Sequence, residues 1–309
     1  MVPFTVTVLG NGSAVPTSFQ HPSAQLVTYG GKRFLIDCGE GTQMQMIAFK
    51  TGHRHIDHIF ISHLHGDHFF GLIGLINTLH LYGRTQPLHL YAPKKLENVI
   101  NIQLEVSGSH LIYPLIFHPL DEMNEAPVYE DKNLRVYHFP LKHGIPSYGF
   151  VFREKPGLRK LKKSFVKTYT PSIEQMHAVK SGADFKTDDG QLLLNVHITK
   201  DPAAPRSYAY CSDTAYFEPV IPFIKGVDLL YHEATFDNSQ KQIAANKLHA
   251  TAQQAALIAQ KAKAGRLLLG HYSARFKDKT HLLAEAKEVF PNTALSVEGN
   301  TYDVKDNNL

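Results

Sequence analysis

Cysteine is scarce in this chain. Its 309 residues hold two, Cys38 and Cys211, too few for a disulfide framework at this length, so a reducing compartment is expected. Long apolar runs are missing as well. Nothing approaches the roughly 18 consecutive apolar residues that a membrane span needs, so no membrane association is expected. The segment Met1 to Gly10 is strand-like and carries no basic leader, so it does not read as a secretory signal and a cytoplasmic protein is expected. No internal repeat or low-complexity tract is found. Charged residues make up 19% of the chain and apolar residues 43%, a balance that argues against disorder. A chain of this size buries enough surface to hold a precise site rigid. The formal net charge of +4 permits a polyanionic partner without requiring one.

Histidine, by contrast, is abundant, with 19 residues. Periodicity places most of the surrounding elements. Phe4–Leu9 alternates as a strand and is broken at Gly10-Asn11-Gly12. Ala24–Thr28 and Arg33–Asp37 read as strands joined at Tyr29-Gly30-Gly31-Lys32. Gly41–Lys50 looks helical. His58–Ser62 is a short β-branched run suited to a buried strand, and Phe69–Leu81 follows as a helix. Leu88–Tyr91, Leu134–His138, Gly149–Arg153, Ser207–Cys211, Val227–Tyr231 and Leu267–Leu269 read as strands. Thr251–Ala264 reads as a helix, with Thr251 and Gln254 at capping-box spacing and Gly265 where a helix stops. His281–Phe290 is the last helix, ended by Pro291. Hairpins early and strand–helix alternation later predict mixed sheets flanked by helices.

Chemistry concentrates at His63-Leu64-His65-Gly66-Asp67-His68, directly after the buried strand. Zinc takes neutral imidazole nitrogen or carboxylate oxygen presented to a small volume. His63 and His65 point the same way on extended backbone, and Gly66 lets the loop turn tightly. Asp67 and His68, where the next helix starts, face a second ion a few ångström away. A lone histidine more often satisfies only hydrogen bonds; four ligand-type residues in six positions favour a metal.

This pattern resembles the signature of the metallo-β-lactamase superfamily, which implies an α/β fold, a four-layer αβ/βα sandwich of two mixed sheets flanked by helices. The resemblance supplies three further ligands: His143 in Pro140-Leu141-Lys142-His143-Gly144, Asp213 in Cys211-Ser212-Asp213-Thr214, and His271 in Leu269-Gly270-His271-Tyr272-Ser273. His63, His65 and His143 would then hold one zinc ion, and Asp67, His68 and His271 the other. Asp213 would bridge the two, its charge offsetting the repulsion between dications. Asp67 could also accept a hydrogen bond or proton from the attacking water. Two zinc ions per subunit are expected.

Further motifs resemble the ribonuclease Z family, which trims the 3′ ends of tRNA precursors. They are Asp37-Cys38-Gly39-Glu40-Gly41-Thr42-Gln43, His232-Glu233-Ala234-Thr235-Phe236, His249-Ala250-Thr251 and His271-Tyr272-Ser273-Ala274-Arg275-Phe276. The resemblance spans essentially the whole chain as one domain, 1–309. It implies that His249 protonates the leaving oxygen with Glu233 orienting it, that Ser273 and Arg275 contact substrate, that precursor tRNA is the partner, and that the protein acts as a homodimer.

From Arg153 to Lys167 there are seven basic residues (Arg153, Lys155, Arg159, Lys160, Lys162, Lys163 and Lys167) against one acidic, Glu154. The stretch reads as an exposed excursion over 153–190. In the family an arm that grips tRNA projects from this region, so Arg159, Lys160, Lys162 and Lys163 are expected to contact phosphates. The chain departs from the family in two places. The arm has Thr170-Pro171 where many members have Gly-Pro, and the loop Pro16-Thr17-Ser18-Phe19-Gln20-His21-Pro22 lacks an arginine often found there.

A small-ester or arylsulfatase-like hydrolase of the same fold is the alternative, and it would need no RNA clamp. A tRNA-binding module with an inert metal site is disfavoured by the complete ligand set. His53, His55, His58, His80, His89, His110, His118, His138, His177, His197 and His281 fit no ligand pattern and read as surface or core residues. Cys38 and Cys211 read as buried thiols.

Overall fold

The computed structural model of the protein describes residues 2–52, 55–120 and 126–305; His53 lies outside them. The chain divides into two compact units. The larger comprises Met1–Tyr129, Val136–Phe152 and Ser207–Leu309, and the smaller comprises Glu130–Arg135 and Arg153–Arg206.

Two seven-stranded sheets are built, almost wholly from residues of the larger unit. The first runs Thr301–Asp303, Phe4–Gly10, Ala24–Tyr29, Lys32–Ile36, Ile56–Phe60, Leu88–Ala92, Leu115–Pro119. Its first four strands pair antiparallel and the rest parallel, as the early hairpins and later crossovers demand. The second runs Thr293–Leu295, Arg266–Gly270, Leu229–Glu233, Ser207–Cys211, Tyr148–Glu154, Leu134–Pro140, Tyr129–Glu130. Period-two alternation sends neighbouring side chains to opposite faces. Ile59 joins the cluster shared with the helices Leu72–Leu81 and Lys95–Val106. Its neighbour Phe60 meets Phe150 and Phe152 of the other sheet at ring distances of 5.3 and 5.7 Å. On the far side, Ala252–Ala262 and Thr280–Val289 pack their apolar faces on Leu230, Leu267 and Leu269. The result is helix, sheet, sheet, helix: the expected four-layer sandwich.

Several elements differ from the sequence reading. The strand read as His58–Ser62 is Ile56–Phe60, because Ser62 turns its amide to the Asp37 carboxylate (2.7 Å) and joins the site instead of the ladder. The helix read as Phe69–Leu81 is broken into Gly66–Phe69 and Leu72–Leu81. At the break Gly71 donates to the Cys38 carbonyl, and a Cβ there would lie 2.2 Å from the Gly39 carbonyl oxygen. The helix beginning at Ala252 does carry the Thr251–Gln254 capping box, but it stops at Ala262. Lys263, at φ 54°, takes the left-handed position, and Gly265 instead allows close approach to the Asp228 backbone. The helix Lys95–Val106 was not foreseen. Only Leu96 and Ile100 are buried in it, while Ile102 and Val106 face outward, which blurs its apolar stripe.

The smaller unit has its own core of Phe165, Val179, Phe185 and Ile198. It is formed by the helices Lys163–Tyr169 and Ile173–Lys180 with two short ribbons. Glu154 pairs with Arg206 at 2.6 Å. Thr170 has φ 40°, so it adopts here the left-handed conformation that glycine takes without strain.

Gly10 sits at a bulge in the first strand, where a Cβ would fall 1.8 Å from the Pro22 carbonyl oxygen. Gly10→Ala should therefore cost about 1–3 kcal/mol, measured as a lowered urea midpoint. An unchanged midpoint would contradict this close approach.

Candidate metal centre

Ligand-type side chains collect where strands end. His63, Asp213 and His271 follow Ile56–Phe60, Ser207–Cys211 and Arg266–Gly270, and His143 follows Leu134–Pro140. Open sheets place their sites at such carboxyl ends. The structure brings His63, His65, His143 and Asp213 into one group and Asp67, His68 and His271 into another. Asp213 faces both. Its Oδ2 lies 3.6 Å from His63 Nε2 and 3.7 Å from His143 Nε2. Its Oδ1 lies 3.3 Å from His68 Nε2 and 3.1 Å from His271 Nε2. His65 turns Nδ1 inward, 3.1 Å from both His63 Nε2 and His143 Nε2. Asp67 Oδ2 stands 3.6 and 3.5 Å from His68 Nε2 and His271 Nε2, and it accepts a hydrogen bond from the Ala14 amide at 2.7 Å.

These residues suit zinc. Ligand atoms around a tetrahedral zinc at its usual bond lengths stand roughly 3.3 Å apart, close to the separations found. More tellingly, the buried nitrogens His68 Nε2 and His271 Nε2 have no hydrogen-bond partner. Buried polar atoms are rarely left so, and a cation in each group would satisfy them. The two groups make a binuclear zinc site.

The outer nitrogens of His63, His68, His143 and His271 are held, which fixes those rings. His68 Nδ1 bonds Asp37 Oδ2 at 2.8 Å, His63 Nδ1 meets the Ser62 hydroxyl at 3.0 Å, His143 Nδ1 meets the Leu248 carbonyl at 3.0 Å, and His271 Nδ1 meets the Thr235 hydroxyl at 2.9 Å. Asp37 is fully buried and also accepts from the Tyr210 hydroxyl of the opposite sheet at 2.7 Å. Burial pushes His63 well below the ordinary imidazole range, into the neutral form that binds metal. Burial acts on His68 in the same sense, but Asp213, Asp37 and Asp67 together outweigh it and hold the ring well above that range. Asp213 and Asp67 stand on the Nε2 side, where they attract a metal cation as they attract a proton, while Asp37 bonds Nδ1.

Glu233 and His249 lie beside the second group. Glu233 is wholly buried. It accepts from the Thr214 amide at 2.7 Å, His249 Nδ1 at 2.8 Å, the Thr235 hydroxyl at 2.6 Å and the Ala250 amide at 3.1 Å. With its lone pairs spent this way, it anchors His249 and is not a further metal ligand, although it stands close to Asp213 and His271. Burial lowers the His249 pKa, but the Glu233 carboxylate more than reverses this and raises it to about 9. The ring is held against this buried carboxylate through Nδ1. It lines a cavity of about 440 Å³ with Ser13, Val15, Glu40, Asp67, Phe70 and Asp213. A larger cavity, about 670 Å³, is bounded by Arg33, Asp57 and Arg84 and touches none of these groups.

Ser273 and Arg275 follow His271. Arg275 donates from Nε to the Ser273 hydroxyl at 3.0 Å and from Nη1 to Gln240 at 3.1 Å. In the smaller unit Lys160 and Lys163 are exposed and Lys162 is half-buried, whereas Arg159 is committed to Asp201 and the Thr199 hydroxyl. Cys38 and Cys211 are buried free thiols, and burial raises both, Cys38 to about 12. The holding residues Asp37, Ser62 and Thr235 were assigned no role from sequence. Asp37 and Thr235 stand inside quoted motifs, but their partners lie on other strands.

Asp37→Asn removes the charge behind His68. It should weaken zinc binding by about 10–100-fold in competition with a chelator, with the circular dichroism spectrum unchanged. Undiminished affinity would show that Asp37 serves only the fold.

Among the described residues no helix is long and apolar enough to cross a membrane. Residues 4–160 match the family described as Anti-Pycsar protein Apyc1, and residues 159–272 match the beta-lactamase superfamily domain. Ribonuclease Z of Parabacteroides distasonis is 44% identical over 97% of this chain and 98% of its own length. The enzyme of the same name from Porphyromonas gingivalis is 44% identical over 98% of this chain and 100% of its own. The crystal structure of human tRNase Z, short form, superposes with a TM-score of 0.72 at 27% identity, covering 98% of this chain and 100% of that one. With relatives this similar along both full lengths, and with the two metal-ligand groups in place, the chain belongs to the ribonuclease Z family of metallo-β-lactamase-fold hydrolases.

Proposed function

We propose that this protein is the zinc-dependent endoribonuclease that removes the 3′ trailer of tRNA precursors and leaves a 3′-hydroxyl on the tRNA. One observation carries the reading. Asp213 turns one carboxylate oxygen to each metal-ligand group, while His249, held from behind by the buried Glu233, lies on the wall of the cavity that Asp213 also lines. A phosphodiester needs a nucleophile, neutralisation of developing charge, and a proton for its leaving oxygen. Here all three can act within one cavity.

His63, His65, His143 and Asp213 would hold one zinc ion, and Asp67, His68, His271 and Asp213 the other. When bound, the two ions act as Lewis acids on phosphoryl oxygens and make water acidic enough to attack at neutral pH. The chain's own groups supply the rest. Asp67, fixed by the Ala14 amide, accepts a proton from the attacking water. As the new O–P bond forms and the P–O3′ bond breaks, His249 gives its proton to O3′, which departs as the tRNA hydroxyl. Glu233 keeps His249 oriented and protonated. Ser273 and Arg275 serve as substrate contacts beside the metal centre.

The basic stretch of the smaller unit is read as the tRNA-binding arm. Lys160, Lys162 and Lys163 bind backbone phosphates and release counterions, which gives affinity without sequence reading. A homodimer acting in the cytoplasm completes the proposal.

The direct test is cleavage of a precursor tRNA bearing a short 3′ trailer by the zinc-loaded protein, with the ends mapped. A single cut after the discriminator, lost in Asp67→Ala, is expected. No cut, with small esters still hydrolysed, would move the activity to the small-ester alternative. Replacing Lys160, Lys162 and Lys163 by alanine should raise KM for precursor tRNA about tenfold or more at physiological salt, while hydrolysis of bis(p-nitrophenyl) phosphate stays unchanged. Equal loss on both substrates would remove the arm from the proposal. Arg159 is left out because its guanidinium is committed within the unit.

A further inference from the structure

Two imidazoles of the metal centre are tied through their outer nitrogens to the segment that carries His249. On one side His143 Nδ1 lies 3.0 Å from the carbonyl oxygen of Leu248, a residue held at φ 55°. On the other, His271 Nδ1 lies 2.9 Å from the Thr235 hydroxyl. That hydroxyl is 2.6 Å from Glu233 Oε2, and Glu233 Oε1 holds His249 Nδ1 at 2.8 Å. We propose that these tethers make the placement of His249 depend on metal occupancy, and that Thr235 is the positioning residue that transmits the dependence from His271.

The reason is hydrogen-bond direction. An imidazole that gives its Nε2 lone pair to a metal carries its proton on Nδ1. His271 must then donate to Thr235. The hydroxyl has one proton of its own and two acceptors in reach: Glu233 Oε2 at 2.6 Å and the His271 carbonyl at 3.0 Å. The shorter bond to a charged acceptor prevails. Glu233 then receives from Thr235 on Oε2 and from His249 on Oε1, so the ring of His249 is fixed through Nδ1 and Nε2 is left for proton transfer.

Without a cation the direction can reverse. His271 can keep its proton on Nε2, 3.1 Å from Asp213 Oδ1, and accept at Nδ1 from Thr235. The hydroxyl proton then leaves Glu233 Oε2, which keeps the longer bond from the Ala250 amide; the carboxylate is less firmly aligned, and His249, bonded to its other oxygen, is less firmly placed. On the other side, a neutral His143 with its proton on Nε2 no longer donates to Leu248. An unloaded site would thus lack a fixed proton donor as well as its metal ions. The residues involved are buried: Thr235 is 3% exposed, His271 1% and Glu233 0%, so water does not substitute freely for the lost bonds.

The role of His249 in the reaction rests on the function proposed above. The test uses no RNA, so its failure and the failure of that reading are separate. The protein is labelled with 15N-histidine, and the solvent exchange rate of the His249 Nδ1 proton is measured with zinc bound and after chelation. Zinc affinity is measured in parallel by chelator competition. In the native protein and in Thr235→Ser, zinc should slow this exchange roughly tenfold, the worth of about one hydrogen bond. In Thr235→Val, which keeps the shape and loses the hydroxyl, the effect should fall to about threefold or less, and zinc should bind about 10–100-fold more weakly. Thermal melts check folding, and Thr235→Ala takes the place of the valine variant if that fails to fold. An undiminished zinc effect in Thr235→Val overturns the proposal. So does an equal loss in Thr235→Ser, which would show that the hydroxyl is not the link.

Discussion

The Asp213 carboxylate is what lets the site exist in this fold. Five imidazoles, those of His63, His65, His68, His143 and His271, converge with Asp67 and Asp213 on a volume only a few ångström across. Two dications in that volume would repel each other strongly wherever the dielectric is low. One buried negative charge with an oxygen toward each group reduces that repulsion and sets the distance between the groups. Asp213 is itself 2% exposed and held well below the ordinary carboxylate range: burial alone would raise it, but His271, His68 and His63 more than compensate. Carboxylate and cations therefore depend on one another. Neither is tolerable in the interior alone.

The remainder of the structure delivers those groups to one place. Parallel strands of the second sheet end in register, with Cys211 opposite His232 and Glu233 opposite Gly270, so Asp213, Glu233 and His271 emerge side by side. The first sheet contributes His63, His65, Asp67 and His68 from one strand end and the loop after it. Asp37 and His271 both have φ 55°, an unusual backbone for non-glycine residues that persists only where surrounding bonds over-determine it. Four donors converge on Asp37, from Ser62, His68 and Tyr210. The Tyr210 bond crosses from one sheet to the other, so inter-sheet packing and ligand orientation share a single carboxylate.

The sequence carried the fold class and the chemistry because both are written in short-range patterns. Alternation gave most strands, the Thr251–Gln254 spacing gave a helix start, and the cluster from His63 to His68 placed four ligand types within six positions. His143, Asp213 and His271 came from resemblance alone, since isolated residues before turns carry no signal of their own. Where the patterns were diluted they failed. Lys95–Val106 packs Leu96, Val99, Ile100 and Leu104 on the core, but the exposed Ile102 and Val106 put apolar residues off that stripe as well. The strand before the metal motif was placed two residues late because Ile61 is apolar and Ser62 small, although Ser62 turns to Asp37 and the site.

By itself the sequence determined which chemical groups are present and which lie near one another along the chain. It could not determine which groups meet across the fold, because strand register and sheet packing are set by many weak contacts summed over the core. His58 illustrates this. It read as one more surface or core histidine, yet it stacks at 5.0 Å on His89 of the neighbouring strand, and His89 Nδ1 in turn lies 3.0 Å from His118 Nε2. Asp37 and Thr235 illustrate it in the site itself: each sits in a legible motif, but its partner is 31 or 36 positions away in the chain. Those hydrogen bonds were decided by tertiary structure, since a hydrogen bond needs an atom within about 3 Å and only the folded sheets bring it there.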